Sequence, residues 1–463
     1  MESNTICAIS TAPGVGGIAV VRVSGPDALI ITDKIFKPLS KGVTLKEAAN
    51  KTVWYGDVYS EEGVLDTVLV SVFRTPHSFT GEDTTEISCH GSLYIQQQIL
   101  RLLLKNGCVM AQPGEFTQRA FLNGKLDLSQ AEAVADLIAS TSSASHRLAL
   151  QQMKGGISDE LQTLRERLLD FVSLIELELD FSTEDVEFAD RDKLNELVQT
   201  IRNRISKLCD SFALGNAIKN GVPVAIIGQT NVGKSTLLNC ILNEEKAIVS
   251  DVRGTTRDVI EDVFVYGGIQ FRLIDTAGLR ETADVVEKLG IERSYKTMDE
   301  ASVVLLVCDS TDSVQNTESF ISASMERVKG KNVVLVFNKS DIIDAKKRAE
   351  LMSIEVEEDV KKVFISAKLK DNVNELLDCM LSFCQTDKLT EDSVIISNMR
   401  HYESLQKAQI AIGRVEEGLN LGLPSDLLTR DIHDCIDALG EITGQISSQD
   451  VLNNIFSKFC IGK

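Results

Sequence analysis

Gly228-Gln229-Thr230-Asn231-Val232-Gly233-Lys234-Ser235 is the stretch of this sequence whose residue types and spacing most directly specify a chemistry. It follows the apolar run Val224-Ala225-Ile226-Ile227 and precedes Leu237, Leu238, Ile241 and Leu242, whose spacing predicts a helix. Strand, glycine-bearing loop and helix in that order make an anion cradle, because backbone N–H groups of the loop and the helix start point at phosphate oxygens. Lys234 offers a mobile cation to the β and γ phosphates and Ser235 a hydroxyl to magnesium, with Val232, Gly233 and Thr236 beside them. A glycine turn alone would serve packing equally well. The complete pattern in its strand-to-helix context points to a nucleotide.

Two later motifs choose the base. Asn338-Lys339-Ser340-Asp341 follows the apolar run Val333-Val334-Leu335-Val336-Phe337 and so should emerge at the carboxyl edge of a parallel sheet. Asp341 can accept from the N1–H and the exocyclic amine of guanine. Adenine presents no such donor pair, and a desolvated carboxylate left unpaired would be costly. Ser366-Ala367-Lys368, after Lys362-Val363-Phe364-Ile365, adds a backbone donor for the guanine oxygen. These residues predict GTP as the ligand.

Between them lie two candidate switch segments. Asp275-Thr276-Ala277-Gly278 ends the run Gln270-Phe271-Arg272-Leu273-Ile274; its aspartate would hold magnesium through water, and Gly278 would let the backbone approach the γ-phosphate. The loop Ser250-Asp251-Val252-Arg253-Gly254-Thr255-Thr256 lacks apolar periodicity and supplies Thr256 as a second magnesium ligand. Many small GTPases place a water-orienting glutamine after the DxxG glycine; here Leu279 stands there, so another group must do that work. Arg280, Glu281, Asp284 and Glu287 are the polar candidates nearby. Asn231 suits either a turn or a monovalent cation held beside the phosphates, where an arginine finger would otherwise bring positive charge.

The elements that must carry these loops occupy only part of the chain. Its 463 residues suggest about three domains. With 43% hydrophobic and 25% charged residues, the composition is that of a globular protein without a membrane span, which makes the cytoplasm the expected location. A net charge of -20 argues against generic nucleic-acid binding. The 10 cysteines show neither a CxxC pair nor zinc spacing, and most should be buried core residues.

Residues 1–125 read as a mixed α/β domain, with strands predicted at Thr5 to Ser10, Gly17 to Val23, Thr52 to Val58, Leu65 to Phe73 and Thr85 to Cys89. Helices are predicted near Ala28 to Phe36 and Leu93 to Asn106. Residues 126–220 turn helical, opened by a capping box at Ser129-Gln130-Ala131-Glu132. Acids crowd Glu176 to Asp192, which reads as a solvated helix connection. Residues 221–384 hold the Ras-like P-loop domain with a mostly parallel sheet. Residues 385–463 return to helix, ending in a docked helix from Val451 to Phe459 and a free tail, Cys460-Ile461-Gly462-Lys463. The tail only superficially matches a prenylation box, since Gly462 and Lys463 fit it poorly. Helices on both sides of an α/β insert imply one discontinuous helical domain.

Three signatures outside the nucleotide motifs narrow the reading. They are Gly14-Val15-Gly16-Gly17-Ile18-Ala19-Val20-Val21-Arg22-Val23-Ser24-Gly25, the stretch from Gln112-Pro113-Gly114-Glu115-Phe116-Thr117-Gln118-Arg119 through Asp127-Leu128, and the terminal Phe459 to Lys463. Over essentially its full length the sequence resembles the MnmE (TrmE) family of tRNA-modification GTPases.

That resemblance implies a homodimer built through the N-terminal domains, with 5-formyl-tetrahydrofolate or a related methylene-tetrahydrofolate at their interface. Folate contacts would fall on Arg22, Glu86, Lys125 and Lys463; a carboxylate can pair with pterin donors, and cations with the folate's own carboxylates. Without the resemblance, Arg22 reads as a strand-edge surface charge and Glu86 as a solvated acid. It further implies a potassium-activated GTPase dimerising through its switch domains, with potassium at Asn231, Ser250, Val252 and Thr255, magnesium at Ser235 and Thr256, and Glu287 orienting the water. Lys234 and Arg280 complete the expected catalytic set. Cys460 matches a family cysteine, for which a catalytic thiol and a packed one both fit. The implied partner is the flavoprotein MnmG, which carries the FAD. The resemblance implies that the two form a heterotetramer or larger complex installing an aminomethyl or carboxymethylaminomethyl group at C5 of the wobble uridine of certain tRNAs.

Two other readings share the nucleotide motifs. A ribosome-assembly or membrane-remodelling GTPase would lack the N-terminal signature, and a nucleotide-binding scaffold would show no useful turnover.

Overall fold

The computed structural model describes residues 4–39, 42, 44–180, 191–244, 262–274, 299–384 and 394–462. The chain forms two compact units, one of Met1–Ile138, Gln151–Leu194 and Glu417–Lys463, the other of Ala139–Leu150 and Asn195–Glu416.

The first unit begins with β1 (Ile6–Ile9), β2 (Gly16–Ser24), α1 (Ala28–Ile35), β3 (Phe36–Pro38), β4 (Thr52–Ser60), β5 (Gly63–Phe73), β6 (Thr84–Gly91), α2 (Leu93–Lys105) and β7 (Val109–Met110). The strands make one 7-stranded sheet in the order β3-β4-β5-β6-β2-β1-β7. Strand alternation gives each strand two chemistries. Val21 and Val23 turn into a core shared with Ala28, Ile31, Ile99 and Leu103 from α1 and α2. Arg22 faces the other way, where Ile6 and Ala8 of β1 pack with Phe116. β2 and β6 are interior strands, so Arg22 and Glu86 are cross-strand partners inside the sheet, not the edge charge and solvated acid that the bare sequence suggests.

Helices follow: α3 (Glu115–Leu122), α4 (Leu128–Ala139), α5 (Ser143–Met153), α6 (Gly156–Asp180), α7 (Arg191–Asp210) and α8 (Phe212–Asn220). The capping box lies two residues before its predicted place. Asp127 Oδ1 accepts from the Gln130 amide at 3.0 Å, and Gln130 Oε1 accepts from the Asp127 amide at 2.9 Å. Ser129, 1% exposed, instead donates its hydroxyl to Asp127 Oδ1 at 2.8 Å and also meets Ser158 Oγ at 2.8 Å, since a buried hydroxyl needs partners. The acidic stretch is likewise not one connection: Glu176 to Asp180 continue α6, Arg191 opens α7, and 181–190 lie outside the described residues.

The second unit carries β8 (Val222–Gly228), α9 (Lys234–Glu244), β9 (Asp262–Tyr266), β10 (Ile269–Leu273), β11 (Val303–Asp309), α10 (Val314–Met325), β12 (Asn332–Asn338), α11 (Ala345–Met352), β13 (Lys361–Phe364) and α12 (Val373–Ser382). Its 6-stranded sheet runs β13-β12-β11-β8-β10-β9, parallel except for β9 at one edge. Both faces are covered: Val224 and Ile226 enter one core, Ala225 and Ile227 the other. Strands covered on both sides must be apolar nearly throughout, which is why β8, β11 and β12 are near-continuous apolar runs, whereas β10, with Gln270 and Arg272 half-buried, alternates. The turn joining β9 to β10 has no room for side chains. A Cβ at Gly267 would lie 2.4 Å from Leu381 Cδ2, and one at Gly268 would lie 2.8 Å from Ser143 Oγ.

The chain closes with α13 (Met399–Asn420), α14 (Ser425–Thr443) and α15 (Gln449–Phe456). In the first unit α14 packs along α6, where Ile157, Leu161, Leu168 and Ile175 meet a partner face carrying Ile432, Ile436 and Leu439. Each such fully buried side chain stabilises by about 1.5–3 kcal/mol. The tail is docked, which corrects the expectation of a free end. The Gly114 amide donates to the Cys460 carbonyl oxygen at 3.3 Å, and Ser10 Oγ to that of Gly462 at 3.0 Å. The seat is tight because a Cβ at Gly462 would lie 2.2 Å from the Ile9 carbonyl oxygen. Among the described residues no helix is long and apolar enough to cross a membrane.

Candidate functional site

At the carboxyl end of β8 the chain turns through Gln229 to Gly233 into α9. Asn231 and Gly233 take left-handed backbone conformations, φ 62 and 98, which curl successive amides into a concave anion nest. Lys234 folds back over this loop, its Nζ donating to the carbonyl oxygens of Gly228 at 2.6 Å and Gln229 at 2.7 Å. Burial holds its ammonium below the ordinary lysine value. A phosphate arriving in the nest would give that cation a better partner than two carbonyls.

The base motifs lie against the same loop. Asn338, 3% exposed, donates Nδ2 to the Val232 carbonyl oxygen at 2.8 Å and accepts at Oδ1 from the Ala367 amide at 3.0 Å. One side chain thereby ties the phosphate loop to both base loops. The Ser340 amide donates to the Ile365 carbonyl oxygen at 3.0 Å, and Ser366 pairs with Asp371, which shapes the turn carrying Lys368. Asp341 is exposed, one residue beyond Ser340. Lys339 pairs with Asp309 at the end of β11. Burial pushes the Asp309 carboxyl up, but hydrogen bonds from Lys339 and Thr311 outweigh it and leave the group below its ordinary value.

A second polar site lies on the first unit's sheet. The Arg22 guanidinium meets Glu86 Oε1 at 2.9 Å through both Nε and Nη2 and lies over the rings of Phe79 and Phe116. Arg119 stands beside it, its Nη1 donating to Glu82 and its Nη2 to Glu115 at 2.8 Å. Lys125 is exposed and donates Nζ to the Pro76 carbonyl oxygen at 3.0 Å. Cys460 is exposed, and desolvation pushes up the thiols of the buried Cys89, Cys308, Cys384 and Cys435.

Two family models match the chain: the GTP-binding protein TrmE N-terminus over residues 5–125 and the MnmE helical domain over residues 128–460. A tRNA modification GTPase MnmE of Bacteroides fragilis is 55% identical over 466 residues, covering 100% of both chains. Its counterpart in Bacteroides thetaiotaomicron is 54% identical with the same coverage. The chain belongs to the MnmE family of tRNA modification GTPases. Among solved structures, the G domain of the T. maritima FeoB iron transporter aligns at 27% identity over 35% of this chain and 99% of that one, TM-score 0.26.

In this MnmE-family chain the structure brings together Asn231 to Thr236, Asn338 to Asp341 and Ser366 to Lys368, and separately Arg22 with Glu86. Ser250 to Thr256, Asp275 to Gly278, Arg280, Glu287 and Lys463 lie outside the described residues. Sequence reasoning missed Asp309, Glu82, Glu115 and Arg119. The signal for Asp309 was available: it ends the apolar run Val303 to Cys308 as Asn338 ends its own, which puts an acid at the carboxyl edge of a parallel strand. Glu115 and Arg119 stand four apart at the start of a helix, the spacing of a facing pair.

Proposed function

We propose that this protein is a potassium-activated GTPase. It acts with the flavoprotein MnmG and a folate one-carbon unit to place an aminomethyl or carboxymethylaminomethyl group at C5 of the wobble uridine of certain tRNAs. The observation that carries the nucleotide half is the Val232–Asn338–Ala367 hydrogen-bond chain, which makes phosphate and base recognition one rigid part. In this reading Lys234 and the loop amides bind the phosphates, Ser235 and Thr256 hold magnesium, and Asn231, Ser250, Val252 and Thr255 hold potassium. Asp341 reads guanine and Glu287 orients water, with Arg280 beside it. The Arg22–Glu86 pair would open to take a folate, Glu86 meeting pterin donors and Arg22, Lys125 and Lys463 meeting its acidic side. In this reading Cys460, exposed on the tail, is the candidate thiol.

The match of the TrmE N-terminus over residues 5–125 favours a folate-binding and dimerising domain at 1–125; in this reading a helical domain in two parts (126–220 and 385–463) encloses a GTPase domain at 221–384. The protein works in the cytoplasm as a homodimer, and hydrolysis brings its GTPase domains together and apart. GTP hydrolysis compared in potassium and sodium tests the cation: a clear potassium preference is expected, and equal rates refute it. Reconstitution with MnmG, tRNA, folate and GTP, omitting one component at a time, tests the rest. Full modification without GTP would overturn the reading.

A further inference from the structure

We propose that Arg119 is the positioning residue of the Arg22–Glu86 site, an inference that rests on reading that site as the folate pocket. Arg119 is 12% exposed at its side chain and bridges two elements. Its Nη1 donates to both oxygens of Glu82, at 3.2 and 3.1 Å, and its Nη2 to Glu115 Oε1 at 2.8 Å. Glu82 belongs to the loop between β5 and β6, which also carries Phe79; Glu115 opens α3, which carries Phe116. Arg22 lies over those two rings, whose centroids are 5.4 and 5.6 Å from its guanidinium carbon. Arg119 therefore ties together the two elements that hold Arg22 in place.

The network reaches further on both sides. Glu82 Oε2 accepts from Ser24 Oγ at 2.7 Å, and Ser24 lies two residues from Arg22 on the same face of β2. Glu115 Oε2 accepts from the Gln112 amide at 2.8 Å, shaping the turn at Gly114 on which the Cys460 carbonyl docks. Only a planar, forked cation meets two carboxylates on two elements at once. A lysine at 119 keeps the charge but satisfies one side, and a neutral residue leaves Glu82 and Glu115 facing each other. Arg119 bonds to Glu82 and Glu115 on the elements that carry Phe79 and Phe116, so its effect on Arg22 passes through those elements.

The test uses the full-length protein with 5-formyl-tetrahydrofolate as probe. Arg119→Lys and Glu82→Gln are each compared with wild type for folate affinity, melting temperature and GTP hydrolysis. Each is also built into a Phe79→Trp background, where the new indole reports the loop over Arg22 against the single native Trp54. Expected is a loss of affinity of roughly tenfold or more in both variants, a shifted emission from the introduced indole, a melting transition that stays single and cooperative, and unchanged GTP hydrolysis. Wild-type affinity in either folded variant overturns the proposal. If Arg119→Lys does not fold, Glu82→Gln, which keeps shape and removes the charge, decides alone. If wild type itself binds no folate, the folate reading fails separately. The indole emission then decides: a shift in the folded variants supports the positioning role, and an unchanged spectrum overturns it.

Discussion

Asn338 donates from the end of β12 to the carbonyl oxygen of Val232, 2.8 Å away and 106 residues earlier in the chain. With its other side-chain atom bonded to the Ala367 amide, it has no rotational freedom left. Replacing it with alanine orphans a buried carbonyl and a buried amide, a cost of about 1–3 kcal/mol for each unsatisfied group. GDP and GTP affinity should fall by roughly tenfold or more in Asn338→Ala, read by titration of a fluorescent nucleotide.

Gly233 is required on two counts. Its φ of 98 is unfavourable for any L side chain, and an added Cβ would lie 2.3 Å from Asn338 Nδ2. Gly233→Ala should therefore distort the anion nest at a cost of about 1–3 kcal/mol. Nucleotide binding should be lost by the same titration, while far-ultraviolet circular dichroism stays that of the wild type.

Asp341 should set base choice through its acceptor pair. Asp341→Asn offers an amide donor where guanine also presents a donor, and a donor that suits the C2 carbonyl of xanthine. GTP hydrolysis should fall and XTP hydrolysis rise, measured side by side as phosphate release; unchanged preference would remove Asp341 from the base site.

The Asp309 carboxyl lies below its ordinary value, held there by Lys339 and Thr311 against the opposing effect of burial. A depressed carboxylate stabilises the fold fully above its unfolded pKa, about 3.9, and that contribution is lost as pH falls through the lower folded value. Thermal unfolding of wild type followed from about pH 6 down to about pH 2 should show an acid-side loss that is smaller in Asp309→Asn.

Gly462 seats the tail against β1 with φ 94 and no space for a Cβ. In Gly462→Ala the carbonyl bonds to Ser10 and Gly114 should open, so the Gly114 amide should exchange with deuterium faster than in the wild type.

The strands and loops of the nucleotide site are legible in the sequence because burial on both faces leaves uninterrupted apolar runs, and the functional residues sit at their ends. Short elements are not. β3 and β7 have too few residues to show a period, and they exist because neighbouring strands give them something to pair with. The capping residue lies two positions from where the sequence suggests because Ser129 carries the favoured side chain, yet burial diverts its hydroxyl to Asp127 and Ser158. The Arg22 environment is illegible for another reason: Phe79, Glu82, Glu115 and Phe116 are distant from it in sequence, and only the sheet register and the loop return bring them around one guanidinium.

Ser10 and Gly462 are bonded although 452 positions separate them. On the ribosome, the first sheet emerges long before its partner exists and must fold with that end of β1 bare. A chain that stops short of residue 462 cannot form the closing bond and leaves the seat beside β1 empty. That contact ties the closure of this corner of the molecule to the arrival of residue 462.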